Sequence, residues 1–593
     1  MSSVEAGQDA KPSTVTQIIR DLREAAVLTG AERRGLTAAA VVTAAWACLP
    51  FISDGYLLSL GISITIFAGL ATSWTLFSGP TNYISLATAA FFGIGMYIVA
   101  GGVNLLPYPV LILIAAIAGG LFAALIGLAT LRIAGVYFVI FSLGLAELVR
   151  QVVSWGQHVM GTSSGLYVLI DRSDSAFFWQ LLVLTIVVYL VSWWIGRSRL
   201  GFALRIIGND EVVAVHCGIN TARAKVVLFV ISSTFAAIAG ALVAPRWSYV
   251  EPTLAFSPFL SFQVVIMSLL GGRAPAVGTA PWRHPVHDPV GIHLRKIPVA
   301  DNIAAGRRLP ADRLFHPARR HRSYRGPHEA TRRAAQFASR HAEEGRRQMT
   351  DPSIALNIEG VSKRFGGLVA VNNISFALPA NKVLGLIGPN GSGKTTMINL
   401  ISGALKPSGG TIHLHGETIS ERPAAEIATL GLARTFQIVR MLPGMTVLEN
   451  VQAGGVFGHR RRWGTELRDH SRALLAKVGL QGVEDTVVSA LTYIDQKRVE
   501  LARALASDPK VLLLDEWLAG LNPTELRTGI ALIEQLRTEG RTILIVEHVM
   551  DAIRSLCDSC VVMSSGIKIA EGTPREVLSD VEVIRAYLGD ADA

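Results

Sequence analysis

The sequence predicts a multi-domain chain in which an α-helical polytopic membrane domain precedes an α/β P-loop domain. Three observations predict it. Residues 55–131 contain no Asp, Glu, Lys or Arg, and a domain surrounded by water does not leave so long a stretch uncharged. A glycine-rich loop beginning at Gly388 follows a short apolar run and precedes a helix-like segment. A second apolar run, at 511–514, ends in Asp515 and Glu516.

Composition divides the chain into four parts. Residues 1–35 form a polar, charged N-terminal tail, so the first apolar run is expected to be an uncleaved anchor and not a secretory signal. The transmembrane domain spans 36–272, a basic segment spans 273–349, and the α/β domain spans 350–593. The four cysteines are too few and too scattered for a disulfide framework, which fits a reducing cytoplasm.

Eight apolar runs approach the roughly 20 residues needed to cross a bilayer. They lie near 36–53, 56–78, 82–101, 108–131, 134–153, 176–196, 226–245 and 254–272. Gly79 and Pro80 precede the 82–101 run and are expected to interrupt a helix. This run is therefore either a broken or re-entrant segment, or a span that follows a tight turn.

Basic residues set the expected orientation of the spans. The N-terminal tail and the 197–225 loop carry five basic residues each, whereas the 154–175 loop carries only Arg172. The N-terminus is therefore expected in the cytoplasm. Eight crossings return the chain there at Arg273, as a cytoplasmic α/β domain requires.

The basic segment has an unusual composition. Residues 273–348 contain seven of the fourteen histidines, fifteen arginines and eight prolines. Its sixteen basic residues exceed its six acidic ones by ten, which equals the formal net charge of the whole chain. The positive net charge therefore comes from this segment alone and is not taken to indicate a nucleic-acid partner. Two interpretations stay open. The segment is either a basic linker that touches anionic lipid headgroups, or a stretch translated out of frame from a GC-rich gene.

The glycine-rich loop is a P-loop in its required strand–loop–helix setting. Its glycines let backbone N–H groups surround phosphate oxygens, and the start of the following helix adds favourable partial charge. Lys394 is expected to reach the β and γ phosphates, and the Thr395 hydroxyl to bind Mg²⁺. The predicted nucleotide-binding residues are Gly388, Pro389, Asn390, Gly391, Ser392, Gly393, Lys394, Thr395 and Thr396.

After the apolar run that precedes the P-loop, a second run at 511–514 and a third at 542–546 each end in candidate catalytic groups. Asp515 is predicted to bind Mg²⁺ directly or through water, and Glu516 to polarise the attacking water. A third run, 542–546, is followed by Glu547 and His548. His548 is a candidate sensor of the γ phosphate.

The membrane half resembles permeases of the branched-chain amino-acid ABC importer family over about residues 55–272. The resemblance rests on Gly79 and Pro80, on residues 84–86 and 89–95, and on the 203–220 loop. In that family the loop is a coupling helix that docks on the ATPase, which implies this role for residues near 203–218. Family permeases continue with further spans after a Gly-Gly-Arg like residues 271–273, which favours the out-of-frame interpretation and a truncated permease.

The α/β half resembles ABC ATPases, specifically those of branched-chain amino-acid importers, throughout 353–593. The resemblance implies that Phe365 stacks on adenine and that Gln437, in the Q-loop, links Mg²⁺ and water to the permease contact. Residues 520–523 match the D-loop, and His548 matches the switch histidine. The implied ligands are ATP and Mg²⁺, with Thr395, Gln437 and Asp515 around the metal.

One departure from the family pattern lies in the signature. Residues 491–496 read Leu-Thr-Tyr-Ile-Asp-Gln, where the family generally has Leu-Ser-Gly-Gly-Gln or a close variant. In the family this segment opens a helix that contacts ATP held by the opposing ATPase, a binding role that falls here on Thr492. Ile494 adds bulk where glycine lets the backbone approach phosphate, and Asp495 adds negative charge. One of two composite ATP sites is therefore expected to hydrolyse slowly.

The resemblance implies an ATP-driven importer of branched-chain or related amino acids, a multi-pass protein of the bacterial inner membrane with a cytoplasmic ATPase. The implied partners are a second permease, a second ABC ATPase, an extracytoplasmic solute-binding protein and membrane lipid, without nucleic acid. Four alternatives stay open. They are an importer of urea or short amides, an export half-transporter, a soluble nucleic-acid or ribosome factor fused by a gene-model error, and a frameshifted fusion whose ATPase acts separately.

Overall fold

The computed structural model describes residues 30–131, 135–159, 165–170, 172–270 and 353–588. Most of the N-terminal tail and the basic segment 273–349 lie outside the described residues, so the linker and out-of-frame interpretations stay predictions. The described residues form a helical part followed by an α/β part, which confirms the predicted fold class.

The helical part contains two short strands, β1 (Leu166–Tyr167) and β2 (Tyr249–Val250). Its helices are α1 (Gly30–Ala47), α2 (Leu49–Ile52), α3 (Tyr56–Thr81), α4 (Thr88–Gly102), α5 (Tyr108–Thr130), α6 (Val136–Val159), α7 (Asp174–Arg197), α8 (Arg199–Asn209), α9 (Glu211–His216), α10 (Thr221–Val243), α11 (Pro252–Ala255) and α12 (Pro258–Leu270). Within the described residues, seven helical stretches are long and apolar enough to cross a membrane.

The predicted 82–101 span differs from the others. Helix α3 continues through Gly79 and Pro80 to Thr81, so the prediction that this pair interrupts a helix is wrong. Pro80 lies in the last turn, where its missing N–H costs the helix one hydrogen bond. Residues 82–87, called the helix break below, are not helical. Helix α4 then has 15 residues, about 22 Å at the usual rise of an α-helix.

Connections between the helices alternate between two ends of the helical part. At one end β1 pairs with β2, and the Arg172 guanidinium lies 5.0 Å from the ring centre of Tyr108, just after the end of α4. At the other end the Asn82 side chain donates to the Gly208 carbonyl at 2.7 Å. The helix break and α4 thus link the two ends together. Within the described residues, α4 is a shorter apolar helix beside the seven long ones.

Small residues bring the central helices close together. A Cβ on Gly95 of α4 would lie 1.9 Å from the carbonyl oxygen of Ala237 in α10, and one on Gly240 of α10 would lie 1.9 Å from that of Phe92. Glycines at such positions let helix backbones touch where lipid offers no hydrophobic driving force. Helix α10 thereby becomes the centre of the helical part.

The α/β part contains ten strands among the described residues: β3 (Ile354–Phe365), β4 (Leu368–Pro379), β5 (Val383–Ile387), β6 (Gly409–Leu414), β7 (Glu417–Thr418), β8 (Leu432–Arg434), β9 (Val511–Asp515), β10 (Thr542–Val546), β11 (Ser559–Ser564) and β12 (Ile567–Gly572). Its helices are α13 (Lys394–Ile401), α14 (Ala424–Leu430), α15 (Val447–Phe457), α16 (Gly464–Lys477), α17 (Tyr493–Ala506), α18 (Pro523–Thr538), α19 (Met550–Leu556), α20 (Pro574–Leu578) and α21 (Val581–Leu588).

The strands form a six-stranded sheet in the order β12-β11-β5-β10-β9-β8 and a four-stranded sheet in the order β4-β3-β6-β7. The three strands that the sequence predicts, β5, β10 and β9, are parallel neighbours, and every residue in them is buried. Strands buried on both faces read as continuous apolar runs, which is why the sequence reveals them. Their carboxyl ends meet at one edge, and the loops that follow them meet there too.

Candidate active site

The P-loop leaves β5 and turns into α13. Gly388, Gly391 and Gly393 have φ of 149°, 78° and 102°, a backbone conformation that side chains disfavour. Space is also limited, because a Cβ on Gly388 would lie 2.0 Å from the Met563 carbonyl oxygen and one on Gly393 2.5 Å from that of Ala370. The glycine pattern therefore follows from the shape of the loop.

Lys394, the first residue of α13, has its amine close to the loop. Its Nζ donates to the carbonyls of Gly388 and Pro389 at 2.8 and 2.9 Å. Burial lowers the pKa of Lys394, while the carboxylates of Glu516 and Asp515 act in the opposite direction. The cation thus lies between the P-loop and the two acids that the sequence singles out.

Asp515 ends β9 in a buried, charged setting. Its Oδ2 accepts from Arg434 at 3.3 Å, whereas the buried Oδ1 has no hydrogen-bond partner among the described residues. Burial raises the pKa of Asp515, and Arg434 partly offsets this. A buried carboxylate oxygen without a partner is costly unless something positive meets it. The donor set therefore fits a hard cation such as Mg²⁺.

Glu516 joins the other two predicted catalytic residues. Its Oε2 accepts from Gln437 Nε2 at 2.9 Å, and its Oε1 lies 2.8 Å from His548 Nε2. The backbone of Glu516 has φ of 49°, which is uncommon for a residue with a side chain. The strands place it there, because Asp515 pairs with Val546 in neighbouring parallel strands.

Phe365 and the P-loop line the same open cleft as Gln437 and Glu516. The Phe365 ring is 45% exposed, and the Lys363 amine lies 5.2 Å from its centre. An exposed aromatic face beside a phosphate-binding loop is suited to stacking on a planar base. The structure thus brings most of the predicted site residues into one cleft.

Thr492 does not line that cleft, and neither do Gly388, Pro389, Asp515 and His548. Thr492 caps α17, and its hydroxyl donates to Asp495 Oδ2 at 2.7 Å. The backbone N–H of Asp495 donates back to Thr492 Oγ1 at 3.3 Å, and Arg498 pairs with the same carboxylate at 3.1 Å. The Thr492 hydroxyl therefore donates its hydrogen bond within its own helix terminus and not to a phosphate group.

Sequence reasoning missed a buried contact behind Glu516. The Lys497 amine of α17, 1% exposed, donates to the carbonyls of Trp517 and Ala519 at 2.8 and 2.7 Å. The Trp517 indole N–H donates to the Lys497 carbonyl at 3.1 Å. The backbone that follows Glu516 is thus held by α17. Lys497 directly follows the signature, but spacing alone does not signal such a contact.

Glu547 is a second missed residue. It is fully buried and accepts from the Leu518 N–H at 2.6 Å, while its Oε2 has no partner among the described residues. Burial raises the pKa of Glu547 to about 7. When a carboxyl group has a higher pKa in the folded protein than in the unfolded chain, the protein becomes less stable as the pH rises from the unfolded-state pKa to the folded-state pKa.

Glu547→Gln is therefore expected to raise the free energy of unfolding at pH 8 by about 2 kcal/mol, because the variant no longer has to ionise a buried group. The gain should disappear near pH 5, where the wild-type carboxyl is protonated. Thermal unfolding of the full chain at both pH values measures the difference. A gain of equal size at both would contradict the explanation.

The edge of the α/β part next to this cleft touches the helical part. Arg440, three residues after Gln437, donates to Asp210 at 2.8 Å, and the Gly444 N–H donates to Asn209 Oδ1 at 2.8 Å. A third contact joins Arg205 to Glu449 at 2.8 Å. These helical residues lie in α8 and the connection to α9, within the predicted coupling region.

Comparisons with known proteins agree with this arrangement. A family model described as "Branched-chain amino acid transport system / permease component" matches residues 56–281. A model described as "ABC transporter" matches 371–519, and one described as "Branched-chain amino acid ATP-binding cassette transporter" matches 568–593.

Curated relatives match the α/β part over nearly their whole length. The high-affinity branched-chain amino acid transport ATP-binding protein LivG of Salmonella typhimurium is 41% identical over 257 residues, 41% of this chain and 100% of that protein. BraF of Pseudomonas aeruginosa, with the same description, is 39% identical over 40% of this chain and 98% of that protein. A probable LivG of Archaeoglobus fulgidus is 36% identical over 40% and 96%.

Proposed function

Because this chain belongs to the branched-chain amino-acid ABC transporter family and joins a permease part to an ATP-hydrolysing part, we propose that it imports branched-chain amino acids. In this proposal the chain supplies one of the transporter's two ATPases and one of its two permeases. The observation that carries the proposal is the contact of Arg440 and Gly444, beside the ATP cleft, with Asp210 and Asn209 of the permease part.

In the proposed site Phe365 stacks on adenine and the P-loop from Gly388 to Thr396 binds the phosphates. Glu516 orients the attacking water, held in place by Gln437 and His548. Thr395, Gln437 and Asp515 would hold Mg²⁺, whose charge, when it is bound, neutralises the phosphate oxygens. The buried Asp515 Oδ1 without a partner among the described residues supports this assignment.

The proposed setting is the bacterial inner membrane, with the ATPase on the cytoplasmic side. Leu121, Leu125 and Leu128 share one face of α5 and are each about two-thirds exposed, as expected of side chains in contact with lipid. Completing a transporter requires a second permease, a second ABC ATPase and an extracytoplasmic solute-binding protein. We also propose the division of the chain into an N-terminal tail (1–35), a transmembrane domain (36–272), a basic segment (273–349) and an ATP-binding domain (350–593).

Transport by the complex purified through a tag on this chain tests the proposal. The complex is placed in vesicles with ATP on the ATPase side and the solute-binding partner on the other. We expect labelled leucine, isoleucine and valine to accumulate on the ATPase side, with no competition from urea or acetamide. Uptake of urea, or movement of leucine away from the ATPase side, would contradict it.

A further inference from the structure

Four consecutive residues where α8 meets α9 contact both halves of the chain. In these residues, 208–211, called the junction below, the inner two contact the ATPase and the outer two contact the helical part. Asn209 accepts from the ATPase N–H of Gly444, and Asp210 accepts from Arg440. The flanking Gly208 and Glu211 instead face the helical part.

Gly208 packs directly on the end of α3. A Cβ on Gly208 would lie 2.0 Å from the Pro80 carbonyl oxygen, and the Gly208 carbonyl accepts from Asn82 at 2.7 Å. Asn82 is the first residue of the helix break. Close-packed contacts of this kind transmit a displacement because neither side has room to give way.

Glu211 makes the stronger contact. Its Oε1 pairs with Lys225 Nζ of α10 at 2.6 Å, and Lys225 is 2% exposed. The Tyr83 hydroxyl joins them, accepting from Lys225 at 2.9 Å and donating to Glu211 Oε2 at 3.1 Å. Burial acts to raise the pKa of Glu211, but the hydrogen bond and charge of Lys225 lower it below its usual value overall.

Tyr83 belongs to the helix break, whose backbone is held by other helices. The Leu86 N–H donates to Ser142 in α6 at 2.9 Å, and the Ser85 carbonyl accepts from the Trp74 indole of α3 at 2.7 Å. Just after the break, the Ala89 N–H donates to Ser261 in α12 at 2.9 Å. Backbone that leaves a helix inside a membrane protein needs such partners, and it commonly lies at the transport path.

We propose that Tyr83, Glu211 and Lys225 are positioning residues that connect the junction to the helix break, so that movement of the ATPase segment around Arg440 displaces residues 82–87. The path joins three side-chain contacts, Glu516 to Gln437, Arg440 to Asp210 and Glu211 to Tyr83. Between these contacts it follows the backbone, over residues 437–440 and 210–211. This inference rests on the proposed transport function. Beyond that function, it identifies the helix break, residues 82–87, as the part of the permease that moves when ATP is bound or hydrolysed.

The test uses the assembled complex in vesicles and measures ATP hydrolysis with and without leucine-loaded solute-binding partner. Lys225→Met is expected to keep the basal rate while stimulation by the loaded partner falls at least about fivefold. Tyr83→Phe, which keeps the ring and removes the bridging hydroxyl, should give a smaller loss. The charge exchange Glu211→Lys with Lys225→Glu should restore most of the stimulation.

A second ion pair supplies the control. Asp174 lies 3.8 Å from Arg246 at the opposite end of the helical part, and Asp174→Asn should leave both rates unchanged. Normal stimulation in Lys225→Met would overturn the inference. So would failure of the charge exchange to restore stimulation, or a loss in which basal hydrolysis falls equally. Absence of stimulation in the wild-type complex would instead remove the proposed function on which the inference rests.

Discussion

Glu516→Gln is expected to reduce ATP hydrolysis at least about 100-fold, because the amide no longer attracts a proton from the attacking water. ATP binding should persist, since Lys394 and the P-loop backbone are unchanged. The Gln437 and His548 contacts at 2.9 and 2.8 Å indicate that the carboxylate is held in one orientation. Phosphate release by the purified full chain and equilibrium binding of a fluorescent ATP analogue measure the two effects separately.

Glu525→Gln is the matched control. Glu525 is a partly exposed carboxylate in the capping box of α18, nine residues further along the chain, and it lies outside the cleft. Its replacement should leave hydrolysis within about twofold of the wild type, as for other surface changes. A Glu516→Gln chain that hydrolyses ATP at the wild-type rate would show that another group activates the water.

Combining Ile494→Gly with Asp495→Ala is expected to increase ATP hydrolysis about tenfold, through better contact with ATP held by the opposing subunit. The Thr492 hydroxyl now donates to Asp495 at 2.7 Å. Removing that carboxylate frees the proton for phosphate and removes a negative charge from the helix terminus. Glycine at 494 lets the backbone approach.

Glu576→Ala is the control for the expected rise in ATP hydrolysis. Glu576 occupies the same third position of a capped helix, α20, away from the signature. It should leave the rate unchanged, so a gain confined to the signature variant is not a general effect of losing a capping carboxylate. An unaltered rate in the double variant would mean that this signature is not a weak partner.

Residues close in sequence were predictable, and contacts between distant residues were not. Strands β5, β9 and β10 are continuous apolar runs, so the sequence reveals both the strands and the edge where Glu516 and His548 meet. The helix break is different. Its backbone groups are paired with Ser142 and Trp74 from other helices, and no local pattern reports such partners. The apolar run alone therefore leaves a broken segment and a complete span equally open.

The junction shows the same limit more strongly. Asp210 and Arg440 are 230 positions apart along the chain, and a contact of the loop around Asp210 with the ATPase is implied only by the family resemblance. Lys497 and Trp517 also gave no sequence signal, because a lysine coordinated by carbonyls looks like any surface lysine until its burial is known.

The central claim is that ATP turnover is mechanically joined to the permease within one polypeptide. The most direct measurement is the ATP hydrolysis rate of the complete complex in vesicles as leucine-loaded solute-binding partner is added. We expect a several-fold rise in the wild type and a flat response in Asp210→Asn, which keeps the helix cap but loses the charge that meets Arg440. A wild-type rate that ignores both the partner and leucine would contradict the claim.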